Sequence, residues 1–449
     1  MLKIINRIYL LALISLYAIL VFKISGEFLL VIFFTIFSSI SYFIILHSYT
    51  LKSSKAYSRG SNGLAMKVLL YLFVSIVLEN FISYYYRDNF YLFSESDAIF
   101  YHESILDIID MSFLDGISHY LSYMDVDDLG MILIVYPLYH IVQSNLIVNA
   151  FYVIVGVITA LSIFQLSQNF MTKKYAFLSS LSYSISSFVV YFHATGLKES
   201  FMVMLVVLSF DFYYRFLEKR DISYFIVAMV FVLSLLLFRP MILIMIVGSV
   251  GLGFILSRRG SIWIKIFAIA LFVALLLMSG VLTEKVNVYT TGGIDSLISA
   301  RESQGSVIGG VYFTYVVNIL SQTIGPLPTV IITSEKVGTM FYTSGLIYRI
   351  LLAFPFWFGV SYIIKTKSTK LYPLLIFILM EMSALAYLMD GLELRKALPQ
   401  MPIIFIIAFW FLDKYDNKII EFKKDKKFKQ FFYTIMILLV LMIGYWNFR

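Results

Sequence analysis

The sequence contains no cysteine, which removes disulfides, thiol nucleophiles and thiolate metal sites together. Charge is scarce too: 14% of the 449 residues are charged, against roughly 25% in soluble domains. There is no internal repeat and no inverted pair of broken apolar segments, a pattern common in carriers. No HExxH spacing occurs, low-complexity tracts are absent, and no basic loop is long enough to hold a soluble catalytic domain.

What is present is lipid-grade hydrophobe. Hydrophobic residues make up 60% of the chain and the mean hydropathy is +0.88. Several apolar runs reach the roughly 20 residues needed to cross a bilayer. The expected fold is an all-α polytopic integral membrane protein, a single membrane domain over residues 1–449. The net charge of +8 is no nucleic-acid signature, because the bases are spread over short loops between apolar runs. The first run follows Lys3 and Arg7, lacks a small-residue cleavage site and precedes further spans, so it is expected to remain as an anchor.

Positive charge orients the chain. The loop with Lys52, Lys55, Arg59 and Lys67 carries no acid and is expected in the cytoplasm, together with the N-terminus. The next span, Val68–Tyr86, then delivers Arg87–Gly130 to the far side. That stretch holds ten of the 27 acids and one base. The following 13 apolar residues, Met131–Gln143, are read as an interfacial or re-entrant helix. Counting them as a span would export Lys173, Lys174, Lys219, Arg220, Arg258, Arg259 and the seven lysines between Lys414 and Lys429. The remaining spans are expected near 145–166, 175–194, 201–217, 222–238, 241–257, 266–282, 340–364, 372–389, 401–412 and 431–448. This gives about 13 transmembrane helices, within a range of roughly 11–14. Two long extracytoplasmic loops result, 87–144 and 283–339, each carrying an interfacial helix.

The first loop brings carboxylates close to the end of a span. In SDAIFYHES, Asp97 is a candidate general base, flanked by Phe93, Phe100 and Tyr101, aromatics that suit sugar faces and membrane interfaces. His102 and Glu103 are further catalytic candidates. Neighbours in sequence point apart on a helix, so they do not form a joint metal site; a divalent metal would fall to Asp97 and Glu103. Asp125-Val-Asp127-Asp128 resembles a DxD element but reads first as a surface turn.

Bases on the outer side need a reason. Lys198 in GLKES, Arg239 before Pro240, Arg301, Arg349 within a span, and Arg395 in DGLELRKALP are candidate phosphate ligands. Glu79 and Glu381 are acids inside spans, with Glu381 a counter-ion candidate for Arg349 and Glu199 a counter-ion for an outer base.

Four features carry a resemblance: SDAIFYHES followed by an interfacial helix with Tyr136-Pro137, the helix pair whose outer turn holds LKES, the FRP turn at Arg239, and the late outer arginine in ELRKALPQMP. In this layout the chain resembles the C-type superfamily of polytopic membrane glycosyltransferases that use polyprenyl-linked sugars. It is similar in composition to bacterial O-antigen and capsule polymerases. The resemblance implies a glycosyltransferase of the bacterial inner membrane acting on an undecaprenyl-diphosphate-linked oligosaccharide, with Asp97 as base or metal ligand and the outer arginines holding the lipid diphosphate. It also implies lipid-linked glycan and membrane lipid as partners, a chain-length regulator and a flippase as protein partners, and no nucleic acid. The chain departs from the pattern in having two spans before the acidic loop is delivered and in lacking paired acids. A transferase using a polyprenyl-phosphate monosaccharide is the alternative within the class. A lipid-linked oligosaccharide flippase is the alternative outside it, disfavoured by the two long outer loops.

Overall fold

The computed structural model describes residues 1–23, 28–50, 60–87, 96–124, 126–256, 311–328, 343–387, 395–417, 434, 437–445 and 447. Every regular element among them is helical. The main helices are α1 (Leu2–Lys23), α2 (Phe28–Thr50), α3 (Gly60–Arg87), α4 (Ser96–Ile108), α5 (Phe113–Leu121), α6 (Leu129–Tyr139), α7 (Asn145–Gln168) and α8 (Lys173–Ser184). They continue with α9 (Ser187–Ala194), α10 (Lys198–Lys219), α11 (Ile222–Ser234), α12 (Pro240–Leu256), α13 (Val311–Ile324), α14 (Thr343–Thr366), α15 (Tyr372–Tyr387) and α16 (Met401–Asp416).

Six helical stretches among the described residues are long and apolar enough to cross a membrane. Helices α8 and α9 make a seventh if their 50° bend is one broken span. The chain is a multi-pass membrane protein. The expected span at 266–282 lies outside the described residues, as does Arg301, and 431–448 is described only in part. The run expected as one span over 175–194 is broken at Ile185–Ser186. There the Ser186 hydroxyl bonds back to the Ser182 carbonyl, the local competition that bends helices at serine.

α16 lies at the centre. From Ile403 to Leu412 every side chain is buried, as expected of a helix that is apolar all round. It packs against α8 and α14, and its ends are fixed differently. At one end Asp413 accepts bonds from the Thr172 amide (3.0 Å) and hydroxyl (2.7 Å), capping α8. Nearby the Lys370 ammonium reaches the Asn169 carbonyl (2.8 Å) and the Tyr214 hydroxyl the Lys370 carbonyl (2.6 Å). The other end of α16 leads back through the short 3-10 turn Leu398–Gln400 to Arg395.

α4, α5 and α6 gather at that second end. Ala98, Tyr101, Ile105 and Ile108 form the buried stripe of α4, and the Tyr136 hydroxyl on α6 bonds the Met111 carbonyl (2.8 Å). α6 has 11 residues, about half the length a bilayer crossing needs. Its start touches the Arg239 turn, since a β-carbon at Gly130 would run into the Phe238 ring.

α13 inverts the usual amphipathic rule. Thr314, Asn318, Ser321, Gln322 and Thr323 are buried, while Phe313, Val316 and Leu320 are exposed. Sequence reasoning expects an interfacial segment here. The structure seats α13 against α14 and α15, because its polar face finds partners there. The Gln322 amide donates to the Met382 carbonyl (2.9 Å), and the Trp357 indole to the Thr323 hydroxyl (3.1 Å). An apolar outer face suits lipid as its solvent.

Candidate functional site

Five segments distant in sequence meet at the second end. Asp97 stands in the first turn of α4, where the helix dipole favours a carboxylate. Asp128 precedes α6. Lys198 and Glu199 open α10 after a turn made at Gly196. The φ of +70° at Gly196 is natural for glycine, and the Tyr152 hydroxyl fixes the same turn through the Leu197 carbonyl (2.8 Å). Arg239 sits just before Pro240, which suits the first turn of α12. Arg395 precedes the turn into α16.

Arg395 is the bridge. Its Nη2 binds the Asp97 carboxylate and its Nε binds Oε1 of Glu199 at 2.8 Å. Arg239 Nη2 approaches the same Glu199 oxygen at 3.8 Å. Beside them Lys198 donates to Asp128 at 2.6 Å, and the Tyr101 hydroxyl donates to the same oxygen at 2.7 Å. Three bases thus face three acids. Glu199 is fully buried; Arg395, Arg239 and Asp97 are partly exposed, from about a fifth to nearly two fifths, and open the cluster to one side. Burial opposes the charge on Arg395, but Glu199 and then Asp97 outweigh it and hold the guanidinium above its usual range. Burial, reinforced by Asp128, raises Tyr101, so it remains a phenol donor. Stranding the buried Glu199 by removing its arginine would cost on the order of 3–5 kcal/mol.

The other sequence candidates are placed elsewhere. His102 faces Tyr139 of α6, with Nδ1 2.6 Å from the phenol oxygen. Burial lowers His102, against a smaller opposing effect of Glu103, and burial pushes Tyr139 up to about 12. The imidazole is therefore neutral and the phenol keeps its proton, and the His102 tautomer sets which of the two donates. Glu103 is exposed, roughly 120° round α4 from Asp97. Among the described residues no three His, Asp or Glu converge to hold a metal ion. Asp97 and Glu103 lie on different sides of α4 and do not converge on one ion.

Arg349 lies deeper, fully buried in α14. It donates to the Gln322 carbonyl (3.4 Å) and lies over the Phe188 ring (5.9 Å). The expected Arg349–Glu381 pair is absent from the ion pairs of the described residues. Glu199 and Asp128 are the residues sequence reasoning placed too low. The signal for Glu199 was its position beside a base in an outer turn; Asp128 showed only a short acidic run.

The sequence model of the dolichyl-phosphate-mannose-protein mannosyltransferase family matches residues 134–283, about a third of the chain. The match spans α7 to α12 and so includes Lys198, Glu199 and Arg239 but neither Asp97 nor Arg395. It supports a membrane glycosyltransferase. No curated protein matches the chain.

Proposed function

We propose that the chain transfers glycosyl groups from a polyprenyl-linked donor, and that it is a repeat-unit polymerase of bacterial O-antigen or capsule acting on undecaprenyl-diphosphate-linked oligosaccharide at the outer face of the inner membrane. The observation that carries this reading is the meeting of Asp97, Arg239, Arg395 and Lys198 at one end of an apolar bundle. Arginine suits a lipid-borne phosphate through its planar fork, and a carboxylate beside it suits proton removal from a hydroxyl. In the reaction the acceptor oxygen bonds to the anomeric carbon while the bond from that carbon to the phosphate oxygen breaks. The proton passes to Asp97, and the bases stabilise the departing phosphate. The energy resides in the donor bond, so no nucleotide is required.

A second reading within the same chemistry is a transferase that takes one sugar from a polyprenyl phosphate. The family match favours it, because the matched family uses dolichyl phosphate mannose. Deleting the gene and resolving the surface glycan by gel and mass tests both. Loss of the ladder with a single repeat retained supports the polymerase. A retained ladder whose repeats lack one sugar supports the second reading. An unchanged ladder of unchanged mass rejects both.

A further inference from the structure

The resting site carries an internal conflict. Arg395 is committed to two carboxylates, and a carboxylate engaged by a guanidinium cannot accept a hydroxyl proton on that oxygen until the pair opens. The two acids differ in what they can do. Asp97 is 38% exposed and sits on a short helix at the rim, so it can exchange partners with an arriving ligand. Glu199 is 0% exposed, sits at the base of the long buried helix α10, and contacts both arginines with a single oxygen. Its second oxygen, Oε2, makes no hydrogen bond among the described residues. A buried carboxylate contributes little net stability, since desolvation offsets its attraction, so its usefulness lies in where it holds its partners.

We propose that Glu199 is the positioning residue of this site, holding Arg395 and Arg239 from the buried side so that both arginines stay aimed at an incoming lipid phosphate when Asp97 lets go. The inference rests on the phosphate-binding part of the reading above and not on the transfer step. It makes a prediction of unusual sign. By charge alone, removing an acid next to a phosphate site tightens anion binding. If Glu199 sets the geometry of the arginines, its removal weakens binding, because a guanidinium off its fork geometry loses its paired bonds.

The test is binding of undecaprenyl phosphate to the full chain in nanodiscs of neutral phosphatidylcholine, at low salt. Glu199→Gln is expected to weaken binding about tenfold, and Arg395→Ala by a similar factor. The double variant should bind no more weakly than either single one, because the two side chains act as a unit. Glu199→Asp, which keeps the charge, should recover part of the loss with an unchanged melting temperature. Equal or tighter binding by Glu199→Gln, or strictly additive effects, overturns the proposal. Should Glu199→Gln not accumulate as folded protein, the Glu199→Asp and Arg395→Ala pair decides by the same additivity criterion. No binding by the wild type also overturns it. Intact phosphate binding without any sugar transfer rejects the transferase reading and leaves the role of Glu199 standing.

Discussion

Arg395 uses two faces of its guanidinium at once, Nε toward Glu199 and Nη2 toward Asp97. A lysine supplies one point charge and cannot span both. Arg395→Lys should therefore lose about 1.5–3 kcal/mol of transition-state binding, roughly tenfold to a hundredfold in kcat/KM. Asp97→Asn keeps the shape and removes the proton acceptor, so turnover should fall by about two to four orders of magnitude with expression unchanged. His102 gives a pH signature. Its lowered value in the folded chain means the unfolded chain binds the proton first, so its contribution to stability is present above the ordinary value of 6.5 and erodes as pH falls below it. Melting temperature measured across pH 5–8 should drop on the acid side, and His102→Gln should flatten that slope. At this scale the sequence was half legible. Lys198, Arg239 and Arg395 stood out because outer-side bases are uncommon next to lipid. The centrality of Glu199 did not, because its partners lie 40 and 196 residues away and pairing at that range is set by packing.

At the scale of elements, the apolar runs announced most helices, because a bilayer demands length and hydrophobicity that sequence displays directly. Two features were hidden. At the bend between α8 and α9 the Ser186 hydroxyl bonds the backbone, a choice that hydropathy does not encode. The orientation of α13 depends on which face finds partners; periodicity separates its polar face from its apolar one but does not say which turns inward. The chain's lack of cysteine makes this testable without background. Val316→Cys, on the lipid-facing side of α13, should resist a water-soluble maleimide in intact membranes. Ready labelling would mean that the exposed face meets water. On the inner face, Gln322 ties α13 to Gln400 (2.7 Å), five residues from Arg395 in the lead-in to α16. Gln322→Leu leaves the buried Gln400 amide and the Met382 carbonyl without their Gln322 partner and should cost about 1–3 kcal/mol in detergent unfolding.

For the whole molecule, the helices run between two chemically distinct ends. One gathers Asp97, Asp128, Lys198, Arg239 and Arg395; the other gathers Lys370, Thr172, Asp413 and Tyr214. The central helix α16 connects them, with its Asp413 cap at one end and the Arg395 turn at the other. Single cysteines at Ser122 and Thr366 should therefore label from opposite sides of the membrane, Ser122 from outside in intact cells and Thr366 only after permeabilisation. Transfer itself can be measured. The purified chain, reconstituted in liposomes with an undecaprenyl-linked sugar donor and a glycan acceptor, is followed by mass for the lengthened glycan and for the released polyprenyl phosphate or diphosphate. Both products are expected in equal amounts from the wild type, with each reduced at least tenfold in Asp97→Asn and in Arg395→Ala. Equal transfer by the wild type and by both variants would contradict the proposed site.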